Sequence, residues 1–189
     1  MSIRSDDNFI VRAVPVLQII GYKNSGKTTL ACKLIAALTA QGLRVGSAKH
    51  DAHEFRLDDY ETDSEKHLSH GALETILTSS TATRSMRKSS TSLDEIAQQL
   101  YGKVDIIIAE GFKSARYPKI ALIHHVVEMR DLLAQAADIR LWISWEAHEV
   151  LQEQGSTLQI ADISSKLILY IKEQEDILHK AISLARSLL

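Results

Sequence analysis

The sequence predicts an α/β fold, a mostly parallel sheet with helices on both faces, and three observations predict it. The segment Gly21-Tyr22-Lys23-Asn24-Ser25-Gly26-Lys27-Thr28 completes the pattern G-x-x-x-x-G-K-[ST] between a strand-like run and a helical one. Strand-like and helical stretches then alternate along the chain with few hairpin signals. Finally, Val104-Asp105-Ile106-Ile107-Ile108-Ala109 is nearly continuous apolar, as expected of a central parallel strand covered on both faces. At 189 residues the chain suits one domain, which buries ~70% of its unfolded surface.

Element by element, residues 1–13 read as a flexible lead-in. A first strand, about Val14 to Ile20, feeds the glycine loop, and Thr28 to Leu38 has the spacing of a helix that runs to Gln41. Gly42 suits the left-handed stop of that helix. Leu43 to Ala48 reads as a second strand, and Lys49 to Asp63, polar and rich in histidine and acid, as a loop. Thr62-x-x-Glu65 matches a capping box that opens a short helix ending near Gly71. Leu73 to Thr78 reads as a third strand. Ser79 to Thr91, dominated by Ser, Thr, Arg and Lys, reads as an exposed, partly mobile segment. Ser92-Leu93-Asp94-Glu95 is a second capping box, opening a helix that ends at Tyr101-Gly102. Beyond the central strand, Lys119 to Ile123 and Ile139 to Ser144 are further strands. Asp162 reads as an N-cap, after which Ile163, Leu167, Ile171, Leu178, Ile182, Ala185 and Leu189 recur at helical spacings. This C-terminal helical segment, 162–189, is one long helix or two with a break near Glu173 to Asp176, packed on the sheet by its apolar stripe. With no internal repeat and no clear boundary, 1–189 reads as a single nucleotide-binding domain of P-loop NTPase type.

Composition narrows the function. A formal net charge of −2 offers no basis for non-specific binding to nucleic acid or to a membrane surface. Cys32, the one cysteine, excludes an intrachain disulfide and reads as a buried structural thiol within the first helix. No apolar run approaches the ~20 residues that span a membrane, and Met1 to Asp7 is polar, without the apolar core of a signal peptide. A cytoplasmic protein is expected.

The glycine loop carries the chemistry. Gly21 and Gly26 permit backbone angles and close approach that a Cβ would block. The loop amides of Gly21 through Thr28, with Thr29 opening the helix, converge on phosphate oxygens aided by the positive end of that helix. Lys27 is expected to bridge the β- and γ-phosphates and the Thr28 hydroxyl to hold Mg²⁺. Glu110, in Glu110-Gly111-Phe112-Lys113 just after the central strand, is placed to order Mg²⁺ through water. The loop Lys49-His50-Asp51-Ala52-His53-Glu54-Phe55, continuing through Asp58 to Asp63-Ser64, is placed to reach the γ-phosphate as a switch. His50 and His53 with nearby Asp also have the makings of a transition-metal site, although a polar loop facing phosphates explains the same residues.

These segments resemble the molybdopterin-guanine dinucleotide biosynthesis adapter family, called MobB. The resemblance is carried by Gly21–Thr28 with Thr29, Lys49-His50-x-x-His53-x-Phe55-x-x-Asp58, Asp63-Ser64, Gly71-Ala72, Glu110-Gly111-Phe112-Lys113 and Pro118-Lys119-Ile120. The phosphate loop is shared with many NTPases, whereas the Lys-His-x-x-His-x-Phe, Glu-Gly-Phe-Lys and Pro-Lys-Ile segments together are far more specific. The resemblance implies a GTP-binding protein with weak GTPase activity, using GTP and Mg²⁺. It also implies a homodimer that assists the guanylyltransferase joining a guanine nucleotide to molybdopterin, with Lys49, His50 and Asp63 in the nucleotide site. Where the family usually has Gly-Lys before Asp-Ser, this chain has Glu61-Thr62; residues 79–91 and the stretch from His125 onward match only loosely.

Base recognition is not written in a familiar motif. Guanine readers commonly present Asn-Lys-x-Asp after a late strand, and here Trp145-Glu146-Ala147-His148 follows Ile139 to Ser144. Trp145 reads as a tryptophan packed at a sheet end, with stacking on a base as the alternative. The alternative function is a small-molecule kinase, with Arg84, Arg87 and Lys88 as a phosphate-clamping lid.

Overall fold

The chain runs β1 (Val16–Gly21), α1 (Lys27–Ala40), β2 (Val45–Lys49), α2 (Asp63–Ser69), β3 (Glu74–Thr78), β4 (Thr83–Arg87), α3 (Leu93–Gln99), β5 (Ile106–Glu110), β6 (Lys119–Ile123), α4 (Val126–Gln135), β7 (Ile139–Ser144), β8 (Ile168–Tyr170) and α5 (Gln174–Arg186). This computed structural model describes residues 13–51, 55–147, 149–151, 153 and 166–189. Their contacts form two compact units: one holds the described residues of Met1–His50 and Leu93–Leu189, the other is Asp51–Ser92.

In the larger unit six strands form one parallel sheet in the order β2-β5-β1-β6-β7-β8. The alternating side chains of each strand sort by face. Leu17, Ile19, Ile106, Ile108, Ile120, Leu122, Leu141 and Ile143 pack with Leu30, Leu34 and Leu38 of α1 and Ile177, Ala181 and Ala185 of α5. On the other face Val16, Ile107 and Ala109 meet Leu93 and Ala97 of α3. Ile20, Ala121, Ile123 and Trp142 meet Val126, Met129 and Leu132 of α4. With both faces covered, the central strands are apolar throughout, which is why Val104 to Ala109 reads as it does.

Three readings need correction, and one helix, α4, has no reading in the sequence. Cys32 is exposed, because α1 turns Leu30, Ala31, Leu34 and Leu38 inward and leaves position 32 on the solvent side. Helix α4 lacks a cap residue before it in sequence; its first N–H, on Val126, donates instead to Glu146 Oε2, twenty residues on (3.0 Å). The C-terminal stripe is neither one long helix nor two: Ile168–Tyr170 is an edge strand paired with β7, and the helix begins only at Gln174. Asp162 and Ile163 lie outside the described residues, as do His53, His148 and nearly all of the lead-in.

The smaller unit brings the third correction, because 79–91 contains a strand. β3 pairs antiparallel with β4, and the buried Thr75 and Met86 are register partners. Ser79 closes the turn, its Oγ accepting from the amides of Thr81 and Ala82 (3.3 and 3.1 Å). The polar composition concealed a period-two strand with a single inward apolar residue. Here too the capping box is real: Thr62 Oγ1 accepts from the Glu65 amide at the start of α2 (3.2 Å). Among the described residues no helix is long and apolar enough to cross a membrane.

Candidate functional site

β1 ends at Gly21, and the chain turns through Asn24 (φ 63°) and Gly26 (φ 99°) into α1. A Cβ on Gly21 would stand 2.4 Å from the Leu122 carbonyl oxygen and 2.8 Å from Ser25 Oγ, so the closeness of β1 to β6 demands glycine there. Gly26 caps α1 without a side-chain hydrogen bond, and the first turn holds no acidic residue. The free amides and positive end of this 14-residue helix are therefore offered to an anion. Ser25 Oγ is buried with no hydrogen-bond partner among the described residues, as a group belonging to a ligand cradle would be.

Two strand ends bring charge to this loop. β2 and β5 are in register with Lys49 opposite Glu110. The Thr28 hydroxyl donates to Glu110 Oε2 (2.8 Å), and Lys49 Nζ lies 3.4 Å from Oε1. The Glu110 side chain is only 12% exposed, so it is held rather than solvated. Lys27 Nζ donates to the Tyr22 carbonyl (2.5 Å), and Lys113 Nζ sits 4.4 Å above the Tyr22 ring. The Lys27 ammonium is held below the ordinary lysine pKa, chiefly by burial and further by Lys113 and Lys49, while Glu110 opposes the shift. Three lysines around one carboxylate leave an excess of positive charge, and a polyanion relieves it. The His50 amide donates to the Glu110 carbonyl (2.9 Å), and its ring lies 5.1 Å from that of Phe112.

A device that sequence reasoning missed positions Glu110 and the connection after it. Residues 111–118 join β5 to β6 across β1 without a helix, so their carbonyls need other partners. Gln18 Nε2 donates to the carbonyls of Gly111 (3.0 Å) and Phe112 (2.8 Å). The buried Lys119 Nζ donates to those of Ala115 (2.5 Å) and Tyr117 (2.7 Å). Gln18 and Lys119 are register partners of β1 and β6, so both reach the same face. Nothing marks Gln18 in the sequence beyond its being the one polar residue of an apolar strand; Lys119 stands in the Pro-Lys-Ile segment.

Of the residues expected at the site, Gly21 through Thr29, Lys49, His50 and Glu110 gather at the carboxyl ends of β1, β2 and β5. Asp63 belongs to the smaller unit, where it opens α2 and pairs with Lys66 (3.5 Å). Thr28 offers one oxygen ligand and Glu110 an acceptor for a metal-bound water, which suits a hard cation that fills its remaining positions with phosphate and water. Among the described residues no three His, Cys, Asp or Glu side chains gather as a metal site. Arg84, Arg87 and Lys88, considered as a lid, are engaged in their own unit by Asp58, Glu74 and the Leu68 carbonyl respectively. Trp145 is 45% exposed at the end of β7, and its indole N–H donates to the Ser25 carbonyl (3.0 Å).

Comparison with known proteins shows the family of the chain. The family model described as Molybdopterin guanine dinucleotide synthesis protein B matches residues 16–145. The molybdopterin-guanine dinucleotide biosynthesis adapter protein of Haemophilus influenzae is 34% identical over 82% of this chain and 89% of its own. That of Escherichia coli is 33% identical over 68% and 81%. Among solved structures, a MobB protein homolog from Bacillus stearothermophilus superposes with a TM-score of 0.68 at 24% identity, covering 91% of this chain and 98% of that one. Bacillus subtilis MobB gives 0.67 at 23%, covering 93% and 98%. These structural likenesses concern the fold.

Proposed function

The chain belongs to the Molybdopterin guanine dinucleotide synthesis protein B family, and from that premise we propose that it is a cytoplasmic GTP-binding adapter in molybdenum cofactor biosynthesis. In this reading it binds GTP with Mg²⁺, hydrolyses it slowly, and as a homodimer assists the guanylyltransferase that forms molybdopterin guanine dinucleotide. The observation that carries the reading is the arrangement of Lys27, Thr28, Lys49 and Glu110 around an uncapped, glycine-shaped helix start. Lys27 donates to phosphate oxygens, the amides of residues 21–28 fix their orientation, and Lys49 balances Glu110. Mg²⁺, when bound, supplies neutralisation of the phosphate charge. For self-association, the support is the smaller unit's exposed Leu73, Ile76 and Leu77, at or in a strand that among the described residues pairs only with β4.

The side chains that pair or stack at the loop are lysines, whereas fast GTPases place an arginine worth roughly 10³–10⁵ in rate. Partner-free hydrolysis is therefore expected far below ~1 s⁻¹, from a dimer by light scattering. Glu110→Gln should lower turnover and its Mg²⁺ dependence more than it lowers GTP affinity, because the carboxylate is placed to order the metal through water rather than to touch the nucleotide. Equal turnover across a Mg²⁺ titration would make Glu110 a bystander. Rapid turnover that depends on a small-molecule acceptor would identify a kinase.

A further inference from the structure

A pocket of about 170 Å³ opens beside the phosphate loop, between the start of α1, the ends of β6 and β7, and the start of α5. Thr29, Lys33, Trp145 and Gln174 line it over an apolar floor that includes Leu122 and Ile143. We propose that it takes the base of the loop-bound nucleotide, that Trp145 is its stacking face, and that the Lys33–Gln174 pair reads a purine carrying a 6-keto group. The proposal rests on the phosphate-site reading above and adds to it the residues that choose the base.

Size, position and chemistry converge on this occupant. Pockets that hold a whole drug-sized ligand run from about 300 Å³, so this smaller space suits one ring system whose other parts lie outside it. Those other parts have a place: Gly26 and Thr29 belong both to the pocket wall and to the phosphate loop's end. The indole is fixed next to the loop by its N–H bond to the Ser25 carbonyl, and His124, which does not line the pocket, stacks on it at 5.7 Å. A half-exposed aromatic held in one plane above an apolar floor is a base platform.

The polar edge selects among bases. Lys33 Nζ donates to Gln174 Oε1 (2.6 Å), and Gln174 Nε2 donates to the Ile171 carbonyl (2.8 Å). An ammonium only donates, which fixes the carbonyl oxygen of Gln174 toward it. That oxygen keeps a lone pair for a ring N1–H, and the ammonium keeps protons for a 6-keto oxygen. A 6-amino group in the same place would set donor against donor and leave N1 without a proton to give. The acid that follows β7, Glu146, takes no part: it accepts from His125 Nδ1 (2.9 Å) and from the Val126 amide (3.0 Å), capping α4. A lysine–glutamine pair from two helices thus stands in for the familiar base-reading motif.

The test titrates wild type, Trp145→Leu, Trp145→Phe and Lys33→Met with GTP, ATP and inorganic tripolyphosphate in Mg²⁺. Trp145→Leu should weaken GTP roughly 5- to 150-fold, the usual worth of stacking on one base, and leave tripolyphosphate unchanged. Trp145→Phe should retain most of the GTP affinity, since it keeps a stacking face and loses only the N–H. Lys33→Met should narrow the preference for GTP over ATP. GTP affinity unaltered by Trp145→Leu would overturn the proposal. So would equal losses for GTP and tripolyphosphate in both Trp145 variants, because the tryptophan would then serve only to hold the loop. A wild type that binds neither GTP nor tripolyphosphate would instead remove the phosphate site itself.

Discussion

Replacing Lys27 by alanine is expected to weaken GTP binding roughly 10- to 150-fold while circular dichroism stays native. A charge-assisted contact to phosphate is worth about 1.5–3 kcal/mol, which is that range of affinity. The fold should survive because, among the described residues, the Lys27 ammonium donates to the Tyr22 carbonyl within its own loop. Removing it relieves the crowding with Lys49 and Lys113 that adds to burial in lowering its pKa. Unchanged affinity in a natively folded variant would mean that the loop is a structural turn and not a phosphate site.

Gly21→Ala should be the most damaging single methyl in the loop. The added Cβ would meet the Leu122 backbone oxygen at 2.4 Å, and the φ of 149° already disfavours an L side chain. A backbone oxygen in a central strand cannot step aside as a flexible side chain would. The combined overpacking and strain is about 3 kcal/mol, or roughly a 6–12 °C fall in melting temperature for a chain of this length, with loss of nucleotide binding. Gly42→Ala provides the contrast: its φ is 86°, yet nothing lies within 4 Å of the new atom. It should cost only the left-handed backbone term, about 1 kcal/mol, and leave binding intact. A Gly21→Ala protein melting and binding like wild type would contradict the close approach of β1 and β6.

The larger unit was legible because its signals are local or periodic. The apolar strands, the glycine loop and α1 each announce themselves within a dozen residues, and the carboxylate at Glu110 is marked by its place where the central strand ends. The features that escaped depend on residues distant in sequence. Helix α4 is capped from Glu146, Gln18 serves carbonyls more than ninety positions away, and Ile168–Tyr170 becomes a strand because β7 offers it an edge. Cys32 shows the limit of averaging over a helix: α1 is apolar enough to suggest burial at any position, but only one stripe turns inward. At the site, Thr28 was read from the glycine loop and Glu110 from the end of the central strand, whereas the Lys49–Glu110 pair depends on the β2–β5 register, and the pocket under Trp145 joins α1, β6, β7 and α5 and has no motif.

The central claim is that a guanine nucleotide binds at Gly21–Thr28, and calorimetric titration of the wild-type protein with GTP and with ATP, each in Mg²⁺, tests it most directly. One GTP per chain, with ATP at least about tenfold weaker, is the predicted result; a tenfold preference is about 1.4 kcal/mol, within reach of one well-placed hydrogen bond to charge. The absence of heat with GTP, or equal or tighter binding of ATP, would contradict it.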